Sequence, residues 1–553
     1  MSGFSENAKT ILTRRYYAPG ESEPEHLFKR VAKAVAEAED TQEQKDYWAG
    51  TYYNLMMERK FLPNSPTLVN AGLGKGCLSA CFVVSPEDTL DSIMQTAYDA
   101  AMIEKWGGGI GFGLSNLRPE GDKISTTHGH AIGPIGAMEI YSTVGGLITQ
   151  GAFRMGAHMA QLHCTHPQIF DFIDCKSDGK RFTNFNISVQ LTDEFMRAVE
   201  SDGPTHLINP HDGRQVGSYS ARIIFRRLCE EAWRTGDPGV VFIDRIRGTE
   251  PNPHLGLIQS TNPCGEEPLE NYNSCNLGSL NLSVRLDPSD VSAAVRFLDS
   301  VVTINTFPPE VPKLQRMNLR TRRIGLGIMG WADFLAGGKI SYSGVGAVDL
   351  ARLLAGGITD LAWDASEALA REKGPFPELP NSRLKRFVRN SNVTTIAPTG
   401  TISQLAGCSS GIEPHFARDW TREALWTRGG SGVSLDEHAP EGAKTALEIP
   451  WEWHVRQQAA WQSGITNGVS KTINLPNSAT PEDVWDAFVL AWKLGVKATT
   501  VYRDGSRGVQ VLNKIEEQVV ANDWCPDCRA PLIHEEGCVS CSSETCGWGR
   551  CSL

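Results

Sequence analysis

The chain has 553 residues, 41% apolar and 21% charged, with a formal net charge of −11. That length permits a large buried core, and the acidic balance argues against stable nucleic-acid binding through a broad basic face. No apolar run approaches the roughly 20 residues of a membrane span, and the polar start, Met1 to Arg15, holds no signal-peptide core, so the protein is expected in the cytoplasm, away from membranes.

The first predicted element is a helix opened near Pro24, with Leu27, Val31 and Val35 four residues apart. A second carries the stripe Leu90, Ile93, Met94, Ala97 and Ala101, and is broken by Gly107, Gly108, Gly109, Gly111 and Gly113. That run has neither the spacing of a dinucleotide loop nor the Lys-Ser/Thr of a P-loop, and is assigned a packing role. A β-rich piece at 393–396 runs into Pro398-Thr399-Gly400-Thr401. Thr480, Pro481 and Asp483 start another helix, and 499–502 is again β-rich. Helices alternating with short apolar strands indicate an α/β body. From about Asn513 the chain turns charged and aperiodic, which places a linker at 513–523 before a tail at 524–553.

Three segments carry chemistry. Ser260-Thr261-Asn262-Pro263-Cys264-Gly265-Glu266 sets Asn262, Cys264 and Glu266 at alternating positions. On an extended loop they would share one face. The amide could orient a hydroxyl, the carboxylate could take a proton, and the thiol could serve as nucleophile or radical carrier. A turn built on Pro263 and Gly265 around a buried cysteine fits the same residues. Pro398-Thr399-Gly400-Thr401 after a strand can aim backbone N–H groups and hydroxyls at an anion, or be an ordinary tight turn. The tail crowds Cys525, Cys528, Cys538, Cys541, Cys546 and Cys551 into a chain otherwise sparse in cysteine, which points to metal binding or thiol exchange. The pairs Cys525/Cys528 and Cys538/Cys541 suit tetrahedral zinc, and a set using Cys546 in place of Cys538 is the alternative.

Asn262-Pro263-Cys264-Gly265-Glu266 resembles the finger-loop motif of ribonucleotide reductases. Further matches stand in the family's order: Phe61-Leu62-Pro63-Asn64-Ser65-Pro66-Thr67-Leu68, Leu78-Ser79-Ala80-Cys81-Phe82, Asn273-Ser274-Cys275-Asn276-Leu277-Gly278 and Ala397-Pro398-Thr399-Gly400-Thr401-Ile402-Ser403. The resemblance implies a helical N-terminal segment (1–60), a ten-stranded α/β barrel around a central finger loop (61–512) and a zinc-ribbon-like tail. It implies that Cys264, as a thiyl radical, takes hydrogen from the ribose C3′, that Glu266 deprotonates the 3′-hydroxyl, and that Asn262 hydrogen-bonds the ribose hydroxyls. Cys81 and Cys275 would be the dithiol oxidised as the 2′-hydroxyl leaves as water. Ser65, Thr67, Ala80, Pro398, Thr399, Gly400, Thr401 and Ile402 would hold the ribonucleotide, by family precedent a diphosphate. Segments 151–156 and 180–186 resemble the loops of a deoxynucleotide effector, with Arg154 on its phosphate and Asp91 on its base.

The resemblance also bears on how the radical arises. The metal-dependent class has two adjacent tyrosines where this chain has Val501-Tyr502, and no glycyl-radical motif is recognisable. Val501-Tyr502-Arg503-Asp504-Gly505-Ser506-Arg507 and the Cys264–Cys275 spacing are similar to the adenosylcobalamin class. Adenosylcobalamin and a structural zinc on Cys525, Cys528, Cys538 and Cys541 are therefore the expected cofactors. Cys546 and Cys551 resemble the shuttle dithiol that reduces Cys81–Cys275 and is itself served by thioredoxin or glutaredoxin. A homodimer is open. The family's N-terminal nucleotide-binding cone has no room before Ile11-Leu12-Thr13-Arg14-Arg15-Tyr16-Tyr17, so shut-off of overall activity by dATP is not expected. The alternatives are a reductase large chain needing a metal-radical partner, a radical enzyme acting on a non-nucleotide on the same barrel, and a zinc-ribbon nucleic-acid binder.

Overall fold

A computed structural model of the protein describes residues 3–74, 76–124, 128–150, 154–155, 157–424, 433–506, 512–514, 532–535, 538–541 and 549–551. Several of its helices begin at a proline or a side-chain cap. Pro24 occupies the first turn of α1 (Pro24–Ala36), which buries Leu27, Phe28, Val31, Ala32 and Val35. Thr41 and Gln44 form a reciprocal capping box on α2 (Gln42–Met57). Thr89 caps α3 (Leu90–Lys105) by accepting from the Ser92 N–H at 3.1 Å. There the predicted stripe is corrected: Ile93, Ala97, Ala100 and Ile103 are buried, but Leu90 and Met94 are 67% and 50% exposed. Phe82 and Phe112 pack on the other side of the helix, and that neighbour selects the buried face. Next come α4 (Gly133–Leu147), α5 (Ala221–Thr235), α6 (Pro288–Ile304), the long α7 (Val345–Lys373) and α8 (Gly400–Ala406). Finally α9 (Pro481–Lys493) has the expected Thr480 cap and a capping box with Asp483.

The strands that frame the site are β1 (Phe61–Pro63), β2 (Cys81–Val83), β3 (Gly109–Gly113), β4 (His158–His163), β5 (Phe185–Leu191), β6 (Gly239–Phe242), β7 (Ser260–Thr261), β8 (Pro268–Leu269), β9 (Asn273–Asn281), β10 (Ile324–Met329), β11 (Thr472–Leu475) and β12 (Ala498–Arg503). β2, β3, β4, β5 and β6 run parallel in that order, and β12 joins β6 antiparallel with β11 parallel beyond it. β9 crosses between the halves, antiparallel to β1 and β2 along one edge and parallel to β10 along the other. The β-rich piece at 393–396 makes isolated bridges instead of a full strand: Leu326 with Thr394, and Ile396 with Val469. Leu326 N donates to Val393 O at 2.9 Å and Ile396 N to Gly468 O at 3.1 Å.

Two apolar cores flank this sheet. One joins α1, α2, α6 and α7 to β10, and the other packs α3, α4, α5 and α9 on the parallel strands. Each fully buried Leu, Ile, Val or Phe contributes on the order of 1.5–3 kcal/mol, which fixes the two halves firmly. Between them the hairpin β7–β8 enters the sheet's interior. It fits because β3 presents glycine there. A Cβ on Gly111 would lie 1.7 Å from Thr261 O, and one on Gly113 2.5 Å from Gln259 O. The glycine run is thus a packing element, as expected, and its partner is the hairpin.

Candidate active site

The hairpin tip is a tight turn. Gly265 takes a φ of 83°, Gly265 N donates to Asn262 O at 3.1 Å, and Asn262 N to Glu267 O at 3.0 Å. The extended loop with three side chains on one face is therefore not formed: the chain reverses at Gly265, as the turn-based alternative has it, but that alternative's buried cysteine is corrected, since Cys264 is exposed. Asn262 and Glu266 are buried at 1% exposure, whereas the Cys264 thiol is exposed.

Polar side chains on the inner strands grip this turn. Gln161 donates to Thr261 Oγ1 at 2.8 Å, Gln190 to Gln259 O at 2.6 Å, and Asn186 to Pro263 O at 2.9 Å, next to Cys264. On the far side, Gly468 N donates to Glu266 O at 2.8 Å. Beyond the hairpin, Arg323 binds Glu270 at 2.9 Å and Glu250 at 2.6 Å, all three buried. A paired buried ion cluster of this kind is costly to break by removing one partner. Of these gripping side chains the sequence analysis included only Asn186, and that within a segment read as an effector loop. A signal for Asn186 and Gln190 was visible: with Ser188 they alternate through an otherwise apolar strand, marking a face turned to something polar.

Cys81 and Cys275 are direct partners across β2 and β9. Both are free thiols, 6% and 0% exposed. Cross-strand neighbours have Cβ atoms about 4.5–5.5 Å apart, so the pair stands ready to oxidise. The Asn262 amide reaches Cys81 Sγ at 3.1 Å and links the dithiol to the finger turn. Burial pushes both thiols well up from their ordinary range. Glu266 and Glu267 add to this at Cys81, and Glu267 does so at Cys275. Glu267, which sequence reasoning passed over, is fully buried, with its Oε2 accepting from the Asn467 amide, and burial followed by the Glu266 charge raises it to about 8.

Cys264 opens on a cleft of about 730 Å³, whose walls include Pro398, Gly400, Ser410, Lys471, Val501 and Tyr502. Thr399 adopts a φ of 55° and accepts from Gly411 N at 2.8 Å, so the turn before α8 is held in a strained, left-handed form. Arg15 donates to Thr401 Oγ1 at 2.8 Å, and Tyr16 meets the Ser65 hydroxyl at 2.7 Å. The N-terminal segment thereby brings Ser65 and Thr401 to neighbouring positions. Thr67 is buried and its hydroxyl donates to Leu78 O at 3.0 Å; Ile402 is buried in α8, and Ala80 O accepts from Gly109 N at 2.8 Å.

Asp91 is exposed on the first turn of α3, next to the Thr89 cap. Arg154 lies on a two-residue strand paired with 149–150, its side chain outside the described residues. Cys525, Cys528 and Cys546 also lie outside them. Cys538 and Cys541 sit on a strand between 532–535 and 549–551, with Cys538 opposite Cys551 in register. Among the described residues no cluster of metal-ligating side chains is present, and no helix is long and apolar enough to cross a membrane.

The family model described as ribonucleotide reductase, barrel domain, matches residues 79–388, 385–431 and 431–502, and the all-alpha domain of the same family matches 2–76. The chain belongs to the ribonucleotide reductase family. Among curated reductases it is 42% identical to the vitamin B12-dependent ribonucleoside-diphosphate reductase of Mycobacterium tuberculosis over 92% of this chain and 80% of that one. It is 41% identical to the enzyme of that name from Thermoplasma acidophilum, over 84% and 66%. A ribonucleoside-diphosphate reductase subunit alpha from Chlamydia pneumoniae is 27% identical over 90% and 60%. The two B12-dependent ribonucleoside-diphosphate reductases are nearer to this chain than that subunit alpha, whereas the B12-dependent ribonucleotide reductase of Streptomyces coelicolor is, like it, 27% identical.

Proposed function

We propose that this chain reduces ribonucleoside diphosphates to 2′-deoxyribonucleotides by a thiyl-radical mechanism that uses adenosylcobalamin. The observation that carries the reading is one exposed thiol, Cys264, on a gripped hairpin tip facing a large cleft, with the buried dithiol Cys81/Cys275 joined to that tip through Asn262. The named relatives support the cofactor and the diphosphate.

The cleft fits the cofactor. Its volume suits a large ligand, it is bordered by Val240, Pro263, Val469, Ala498 and Val501, and it reaches the thiol directly. Those residues would hold it, and when bound it supplies the one-electron oxidation of the Cys264 thiol. Cys264 then takes the C3′ hydrogen, Glu266 holds the 3′-hydroxyl proton, and Asn262 orients the ribose hydroxyls. Cys81 and Cys275 supply two electrons and two hydrogens as the 2′-hydroxyl departs as water. The turn at Pro398, Thr399, Gly400, Thr401 and Ile402, with Ser65, Thr67 and Ala80, forms the nucleotide seat.

The barrel is read as closed. Segment 393–396 bridges β10 at Thr394 and, at Ile396, Val469 in the stretch that leads into β11; counted with β2, β3, β4, β5, β6, β9, β10, β11 and β12 it would make a ring of ten strands. Effector contacts at Asp91 and Arg154, zinc on Cys525, Cys528, Cys538 and Cys541, and a Cys546/Cys551 shuttle served by thioredoxin or glutaredoxin complete the assignment. Two CxxC pairs are the donor set zinc prefers. The experiment is turnover of a ribonucleoside diphosphate by the purified chain with dithiothreitol. Product that requires adenosylcobalamin and no second polypeptide supports the reading; dependence on an added metal-radical protein overturns it.

A further inference from the structure

Reduction of the dithiol pair poses a proton problem that the residues assigned so far do not solve. Cys275 is fully buried, and a thiolate left there would sit in a dry pocket beside carboxylates. A leaving thiolate held at such cost leaves slowly. One carboxyl lies on its side of β9. Glu267 is 0% exposed, the Asn467 amide donates to its Oε2, and its Oε1 is a buried oxygen with no hydrogen-bond partner among the described residues, placed where a Cβ on Gly325 would meet it together with Leu277, two residues along β9 from Cys275. Its backbone N–H donates to Asn262 Oδ1 at 3.0 Å, so the side chain that reaches Cys81 also fixes Glu267 in place.

We propose that Glu267 is the proton donor to Cys275 when the Cys81–Cys275 disulfide is reduced. The inference rests on the reading of these two cysteines as the redox pair. Cys81 is the more accessible sulfur, at 6% exposure against 0%. An external dithiol, as its thiolate, attacks Cys81 Sγ, forming a mixed disulfide and breaking the Cys81–Cys275 bond with both bonding electrons passing to Cys275. The Glu267 carboxylic acid gives its proton to that thiolate, leaving a carboxylate and a neutral thiol. The second thiol of the reductant then closes its own disulfide and frees Cys81, and Glu267 regains a proton from solvent.

The surroundings keep Glu267 protonated at neutral pH. It is raised to about 8, first by burial and then by the Glu266 charge. The cation Arg323 opposes this but is already bound by Glu250 and Glu270, and buried Lys497 spends its ammonium on Thr466 O and Asn467 O at 2.8 and 2.9 Å. Cys81 and Cys275 are the remaining ionisable groups nearby. Glu266, committed to the substrate, cannot serve both thiol and sugar in one cycle.

The test separates the two readings. Full-length chain is turned over once with adenosylcobalamin and substrate without reductant, and peptide mapping then locates the disulfide. A Cys81–Cys275 linkage supports the underlying pair, and its absence overturns that pair whatever Glu267 does. The oxidised chain, freed of substrate and cofactor, is next mixed with dithiothreitol, and appearance of Cys275 thiol is followed against pH. Wild type should rise with ionisation of the reductant and fall above about pH 8 as Glu267 ionises. Glu267→Gln should be at least tenfold slower at pH 7, with the falling limb gone and the first-turnover product retained. Glu267→Asp, which keeps an acid, should recover part of the rate. An unchanged rate and profile in Glu267→Gln overturns the inference. Loss of first-turnover product in a variant with wild-type melting also overturns it, since Glu267 would then serve the turn's geometry. Should Glu267→Gln fail to fold, a profile of Glu267→Asp that keeps the wild-type rate throughout overturns the inference, and one with a slowed, shifted falling limb supports it.

Discussion

Asn262 donates its side-chain amide to Cys81 Sγ at 3.1 Å while its Oδ1 accepts from Glu267 N at 3.0 Å. One amide therefore sets both the position of the Cys81 thiol and the shape of the turn that presents Cys264. Asn262→Ala removes both contacts from a buried site. A loss of about 1–3 kcal/mol in stability is expected, together with a fall in kcat of roughly 100-fold from misplacement of the reacting groups. Urea unfolding and steady-state turnover check the two parts, and a fall in stability without a fall in kcat would show that the amide matters to folding alone.

The three active-site cysteines should fail in different ways. Cys264→Ser should make no product and no C3′ hydrogen exchange, because a serine O–H bond is too strong to stand in for the thiol. Cys81→Ser and Cys275→Ser should still begin the reaction but lack the two-electron reductant, releasing free base or inactivating. Isotope exchange at C3′ and base release distinguish these outcomes, and normal turnover by Cys264→Ser would remove the central assignment.

Gly111→Ala tests the hairpin's seat. The added methyl would meet Thr261 O at 1.7 Å, and a backbone atom cannot swing aside. A loss of about 1–3 kcal/mol or more is expected, with turnover falling as Cys264 is displaced. Gly357→Ala is the control. It lies exposed in α7 with nothing within 4 Å of the new methyl and should raise the melting temperature, helical alanine being favoured by up to about 1 kcal/mol.

Arg15 stands at the turn proposed to seat the nucleotide, by its 2.8 Å bond to Thr401 Oγ1. Arg15→Ala should raise KM for the diphosphate roughly tenfold, the scale of one charge-assisted hydrogen bond, and leave kcat little changed. A drop in kcat at unchanged KM would place its role elsewhere.

Cys546→Ser/Cys551→Ser should abolish thioredoxin-driven turnover but largely spare turnover with a small dithiol that diffuses to Cys81. Thiol exchange by a tail needs mobility and access more than a packed fold. Equal loss with both reductants would make the tail structural, and full thioredoxin activity would leave it no shuttle role.

What the amino-acid sequence determined alone was chiefly local. Thr480 and Asp483 mark a helix start because their cap is satisfied within four residues, and Pro24 marks one because its fixed φ and missing N–H suit the first turn; all three stand where expected. The motif around Cys264 was legible because its residue types are rare in combination. Tertiary structure decided the rest. The exposed side of α3 follows from Phe82 and Phe112 packing behind it, and periodicity cannot say which neighbour arrives. The turn at Gly265, the pairing of Cys81 with Cys275 across 194 residues of chain, and the burial of Glu267 all depend on strand register. Register arises only when distant segments meet, and it is there that desolvation lifts the Glu267 carboxyl above the usual carboxylate range.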